Sequence, residues 1–82
     1  MWSLIEWQDI TAIDSPWATE EDIKDLSPSL ILTAGTLVRE NESYITVAGS
    51  IGKDGEFGDV SCIPRGCVIS IKNLTVESYS NG

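Results

Sequence analysis

The stretch "IPRGCVISI", residues 63–71, joins a tight turn to the most strand-like segment of the chain. The Pro and Gly that flank Arg65 restrict the backbone and allow a sharp change of direction, and the β-branched residues that follow favour a strand. We therefore predict a tight connection followed by a strand over residues 68–71. Arg65 is one of only five basic residues in the chain. It is either an ordinary solvated turn residue or a guanidinium presented to a ligand.

Apolar, β-prone segments upstream of this turn predict further strands. They cover residues 4–7, 30–38, 44–48 and 59–63. The second and third are separated by a polar turn and are typical of a hairpin, while the first is a candidate edge strand. Gly35 inside the second segment marks a bulge, a sharp bend or the close approach of another backbone.

Four or five short, bent strands cannot bury both faces as an open sheet, and closing on themselves removes the unpaired edges. We therefore predict a mainly β fold, a small barrel of the Sm or SH3 type with one short N-terminal helix. The 82 residues form a single domain. It divides into an acidic, Trp-rich arm over residues 1–28 that docks on the barrel, the barrel over residues 29–74, and a polar tail over residues 75–82.

The predicted helix runs from Thr19, as N-cap, to Leu26, and Pro28 prevents its continuation. An alternative start places Ser15 at the N-cap and Pro16 at the first helical position. In either case the helix is too short to be stable alone, so we expect it to dock on the barrel. The side chains expected to dock are Ile23, Leu26 and Trp17.

All three tryptophans lie within the first 17 residues. Trp7 and Trp17 are predicted to anchor the arm to the core. Trp2, next to the terminus, is the candidate for an exposed aromatic contact with a partner, because tryptophan is enriched at binding hot spots.

The net charge of −8 arises from 13 acidic and five basic residues. Residues 1–28 alone carry seven acids and one lysine, so the acidity is concentrated in the N-terminal third. This charge repels nucleic-acid backbones and favours basic partners. The acidic start of the chain is not typical of a secretory signal, and no apolar segment is long enough to span a bilayer. We expect a cytoplasmic protein that does not bind membranes.

The composition does not favour catalysis. The chain contains no histidine, the commonest general base near neutral pH, and no nucleophile motif surrounds its Ser, Cys or Asp residues. Cys62 and Cys67 are predicted to be free thiols with a packing role, with a disulfide as the alternative. We expect a protein that is not an enzyme and has no cofactor and no metal site.

Two motifs resemble the signature of Sm-like proteins. "LTAGTLVRENESYITVA", residues 32–48, is similar to the bent first hairpin, with Gly35 at the bend, and "IPRGCVISIKNL", residues 63–74, is similar to the Arg-Gly turn and last strand. A short helix ahead of the first strand is also expected from this resemblance. Pro64 is an additional residue relative to the motif, and Tyr44 or Ile45 stands near the place of the family's base-contacting Asn. In "EWQDI", "SPW" and "IPRGC" the chain also resembles small bacteriophage proteins.

These observations favour a phage-encoded, acidic, homo-oligomeric binding protein that sequesters or blocks a partner, such as a basic host protein. A more specific form of this hypothesis is a nucleotide-binding sponge that antagonises host defence signalling, with pockets at subunit edges. The residues expected to line such pockets are Arg65, Gly66, Arg39 and Tyr44. The alternatives are a virion or assembly component whose barrels stack through edge strands, and an Sm-type RNA-binding ring, against which the acidic charge argues.

Overall fold

A computed structural model describes residues 2–75, which form one sheet of five antiparallel strands. The strands are β1 (Trp2–Asp9), β2 (Ser29–Glu40), β3 (Tyr44–Ile51), β4 (Phe57–Pro64) and β5 (Val68–Asn73), with the helix α1 (Glu20–Ile23) and a 3₁₀ turn (Arg65–Cys67). The prediction of a mainly β fold is confirmed. The predicted polar tail beyond Thr75 lies outside the described residues.

The strand order β4-β3-β2-β1-β5 puts β4 and β5 at opposite edges of the sheet, although only three residues connect them. The edges of a flat five-stranded sheet would lie about 19 Å apart, whereas the chain from Pro64 to Val68 spans at most about 14 Å. The sheet must therefore curl at this end. The curl stops short of closure, because within residues 2–75 no ladder joins β4 to β5. The predicted closed barrel is wrong in this respect.

The curl is located in β2, which changes partner along its length. Residues 29–36 pair with β1, and residues 36–40 pair with β3 after a register shift between Leu37 and Arg39. Beside this change of partner, a Cβ on Gly35 would lie 2.6 Å from the carbonyl oxygen of Ala48. The predicted close approach of another backbone at Gly35 is confirmed.

The candidate edge strand over residues 4–7 is part of β1, but β1 lies between β2 and β5, so the expected edge position is wrong. Its central residue Ile5 is opposite Thr33 on one side and Ile71 on the other. Ile5 is completely buried, as expected for an apolar residue in the centre of a sheet. Residues 2–9 of the predicted arm are therefore part of the sheet.

The core is small and lies inside the curl. Its packed cluster consists of Ile5, Ile45, Val47 and Ile63, and Ala48 is buried as well. Trp7 packs against this cluster and donates a hydrogen bond from Nε1 to the Thr33 hydroxyl at 3.0 Å, so its predicted role as a core anchor is confirmed. Cys67 also packs against the cluster, whereas Cys62 is exposed on β4, and both thiols are free. The predicted packing role holds for Cys67 only.

The helix lies between β1 and β2, so its predicted position ahead of the first strand is wrong. It contains no buried residue, and Trp17 in the same loop is 85% exposed. The expected docking of the helix and of Trp17 on the core is therefore also wrong. The physical reason is that β1 and β5 already cover the core, while the helix is stabilised locally by a capping box between Thr19 and Asp22.

No helix within the described part of the chain is both long and apolar enough to cross a membrane.

Candidate functional site

Arg65 lies in the 3₁₀ turn between the two edge strands and contacts the turn between β2 and β3. Its Nε donates to the carbonyl oxygen of Asn41 at 2.9 Å, and its backbone N–H donates to the carbonyl oxygen of Ser43 at 2.9 Å. Its guanidinium lies 3.8 Å from a carboxylate oxygen of Glu40. These three contacts hold the β4–β5 connection against the β2–β3 turn.

The β2–β3 turn is itself ordered by Asn41. The Asn41 side-chain oxygen accepts the backbone N–H groups of Ser43, at 2.8 Å, and Tyr44, at 2.9 Å. The Asn41 backbone N–H donates to the Tyr44 carbonyl oxygen at 3.0 Å. This is the local arrangement that asparagine favours in turns, and it fixes the carbonyl group to which Arg65 donates.

The Arg65 side chain is 38% exposed and that of Glu40 is 56% exposed. An ion pair this exposed contributes little to stability. The hydrogen bonds to Asn41 and Ser43 are therefore the more important contacts, and they give Arg65 a structural role in the turn. The side chain is still partly exposed, so a role in ligand binding stays a hypothesis.

The structure brings Tyr44 and Arg65 to the same end of the sheet, because Tyr44 is opposite Pro64 in the β3–β4 ladder. Arg39 is opposite Thr46, further along β3. Tyr44 and Thr46 flank the buried Ile45, so strand alternation places them on the outer face of the sheet.

Gly66 belongs to a different surface. It lines a pocket of about 170 Å³ between the end of β1, the start of β2 and the 3₁₀ turn. The lining is mostly apolar and consists of Gln8, Asp9, Ile10, Pro28, Gly66 and Cys67. The four residues predicted to bind a ligand are thus divided between the Arg65 end of the sheet and this pocket.

Trp2, the residue predicted to bind a partner, is the first residue of β1. Its carbonyl oxygen accepts the backbone N–H of Leu74 at 2.8 Å, and it is opposite Thr36 in β2. The side chain is 37% exposed, so it is available for contact only in part.

Sequence reasoning missed how much apolar side chain stays exposed outside the core. The largest exposed fractions belong to Ile10, at 86%, and Trp17, at 85%, both in the β1–β2 loop. Leu30 and Leu32 on β2 are 58% and 62% exposed. The apolar run Leu30–Leu32 is the sequence feature that could have indicated this surface, because a strand that is apolar on both faces is usually covered on both faces.

No protein-family model, no curated protein and no solved structure matches the chain.

Proposed function

We propose that the protein is a non-enzymatic binding protein that assembles with copies of itself and acts by sequestering or blocking a basic protein partner. The observation that carries this proposal is the balance between buried and exposed apolar residues. Within residues 2–75, five hydrophobic residues are buried, while thirteen large hydrophobic residues are exposed. A small soluble protein rarely exposes extended apolar surface unless the surface binds something.

Part of this surface lies on the sheet and suits a second copy of the chain. The outer face of β2 presents Leu30 and Leu32, and the paired residues Ile51 and Phe57 in the β3–β4 hairpin are about half exposed. The edge strands β4 and β5 each have one side without a ladder partner among the described strands. Unpaired edges are templates for pairing with another chain. Together these features support homo-oligomer formation.

Another part of the exposed apolar surface lies in the β1–β2 loop, which is also strongly acidic. Its exposed aromatic and aliphatic side chains are of the kind that contributes to protein-binding hot spots, and acidic residues alternate with them in the sequence. A basic partner is favoured because charge complementarity steers association. The same proposal includes an Sm- or SH3-like origin of the curled sheet, a phage source and a cytoplasmic location. It is supported by the two sequence motifs and by the curl at Gly35.

The test is native mass spectrometry of the tagged, full-length protein isolated from bacterial cells after mild crosslinking. We expect a complex of fixed stoichiometry that contains several copies of the chain and one basic protein. Recovery of the chain without any partner protein, from several bacterial hosts, would contradict the proposed blocking function. Isolation of the same complex with the Asp54→Asn variant, changed in the exposed β3–β4 turn, serves as a control.

Nucleotide binding is the second candidate, and the proximity of Arg65 to Tyr44 favours it. A guanidinium and an aromatic ring at one end of the sheet suit a phosphate and a base. The test is a thermal shift assay with mono-, di- and cyclic nucleotides. We expect binding to raise Tm and the Tyr44→Ala variant to lose the effect. Unchanged Tm with every nucleotide would exclude this candidate.

A further inference from the structure

We propose that the β1–β2 loop and the pocket at its base form a docking site for a basic segment of the partner protein that carries one apolar anchor side chain. The loop covers residues 10–28 and includes α1. This inference rests on the proposed function and adds to it the place where the partner binds and the chemistry of the segment that is bound.

The pocket has the size of a site for one side chain. Its volume of about 170 Å³ is smaller than the roughly 300–1,000 Å³ of small-molecule sites. The mostly apolar lining suits an aliphatic or aromatic group. Asp9 at its edge accepts the backbone N–H of Ile10 through Oδ1 at 2.8 Å. The structure gives its other carboxylate oxygen no hydrogen bond from the described residues, so this oxygen is available to a cation.

The charge of the loop, together with Asp9 at the pocket, determines the class of partner. Residues 9–28 contain six acidic residues and one lysine. That lysine, Lys24, lies 3.9 Å from a carboxylate oxygen of Glu21. Arg65, which precedes the pocket residue Gly66, is held by Asn41 and Glu40. The surface is therefore complementary to lysine and arginine side chains.

Local hydrogen bonds order two parts of the loop. The Thr11 hydroxyl donates to the carbonyl oxygen of Ser27 at 2.7 Å and joins the two ends of the loop. The capping box orders α1 further along. Trp17, almost fully exposed, offers an aromatic contact of the kind enriched at hot spots. Local order at the loop base and in α1 lowers the entropic cost of binding.

The first experiment measures the fluorescence anisotropy of labelled ten-residue peptides titrated with the full-length protein. One peptide contains lysines and leucines, a second has serine in place of each leucine, and a third has glutamate in place of each lysine. We expect the first peptide to bind at least about tenfold more tightly than either of the others. Its affinity should fall as the NaCl concentration rises, because salt screens exposed charges.

Two variants locate the binding site. Gly66 lines the pocket, and a Cβ there would meet no atom within 4 Å. We expect the Gly66→Leu side chain to occupy the pocket and peptide affinity to fall at least about tenfold. Asp9→Asn keeps an oxygen that accepts the Ile10 N–H and removes the charge, and we expect a fall of about threefold. Asp54→Asn removes a charge from the turn at the far end of β4 and should leave the affinity unchanged.

A second readout does not depend on a mutation in the pocket. Cys67 lines the pocket and is partly buried, whereas Cys62 is exposed. In the Cys62→Ser variant we expect bound Lys-Leu peptide to slow alkylation of Cys67 by iodoacetamide. The proposed site is overturned if the three peptides bind equally, or if Gly66→Leu leaves the affinity unchanged while alkylation of Cys67 is not slowed.

The two proposals fail in different ways. A cellular partner that stays bound to Gly66→Leu and Asp9→Asn in native mass spectrometry would overturn this site and leave the blocking function standing. Peptide binding at the pocket without any cellular partner would overturn the blocking function and leave the site standing.

Discussion

Arg65 illustrates how one residue joins two distant parts of this chain. In the sequence, Arg65 stands between a proline and a glycine. In the structure, it connects the 3₁₀ turn to the β2–β3 turn through Asn41 and Ser43. The Asn41 contact is made across 24 positions of sequence. The sequence therefore predicted that Arg65 lies in a turn, but not which carbonyl groups it binds.

Replacement of Arg65 should reduce stability. We expect Arg65→Ala to lower the free energy of unfolding by about 1 kcal/mol, since it removes the Nε hydrogen bond and a weak, exposed ion pair. Arg65→Lys should recover little of this loss, because lysine cannot reproduce the guanidinium geometry. Urea denaturation measures the effect. Arg39→Ala is the matched control, and an equal loss in that variant would contradict the role assigned to Arg65.

Substitutions at Gly35 and at Gly66 should have different effects on stability. A Cβ at Gly35 would lie 2.6 Å from Ala48 O and from the Val47 side chain, whereas a Cβ at Gly66 meets open space. Gly35→Ala should destabilise the protein by about 2–3 kcal/mol through overpacking. Gly66→Ala should leave stability within about 1 kcal/mol of the wild type. Thermal or urea unfolding of both variants tests this, and similar stabilities would contradict the account of the β2 bend.

At the scale of elements, the sequence predicts the helix and strands that depend on neighbouring residues. It does not predict which distant strands pair with one another. The β2–β3 hairpin follows from apolar runs on either side of a polar turn, and the start of α1 follows from Thr19 and the acids after it. The central position of β1 depends on pairing with β2 and β5, which lie about 30 and 65 residues away. No local pattern specifies such an order.

The candidate site divides in the same way. The Arg65 turn and Gly66 were identified from their sequence, because Pro and Gly mark such connections. The pocket was not, because its walls come from β1, from Pro28 and from the 3₁₀ turn. The failed docking of α1 has a related cause. The spacing of apolar residues in a short helix does not show whether strands already cover the core.

The capping box of α1 makes a pH prediction. Hydrogen bonds to Thr19, first from its backbone N–H and then from its side chain, lower the pKa of Asp22 from its ordinary value of 3.8. Because the folded pKa is lowered, the cap is fully effective above pH 3.8 and is lost as the pH falls through the folded pKa. NMR titration of the Asp22 carboxyl carbon should give a midpoint below 3.8.

The control for this prediction is Thr19→Val, which removes the hydroxyl group and should move the midpoint upward. The variant should leave the unfolding free energy of the sheet unchanged, because α1 contains no buried residue. A wild-type midpoint at or above 3.8 would contradict the capping box.

At the scale of the whole molecule, two kinds of association should respond to salt in opposite directions. Each chain carries a net charge of −8, so assembly of copies through apolar surface is opposed by like-charge repulsion, and salt should strengthen it. Binding of a basic segment by the acidic loop should weaken with salt. Leu32→Lys, on the outer face of β2, should favour the monomer without changing the far-UV circular dichroism spectrum.

The central claim is that the apolar surface left outside the small core is an interface, and the mass in solution tests it most directly. Light scattering coupled to size exclusion should give a multiple of the 8.9 kDa chain mass at moderate and high salt. The Leu32→Lys variant should give a smaller mass under the same conditions. A mass of 8.9 kDa for the wild-type protein at every protein and salt concentration would contradict the claim.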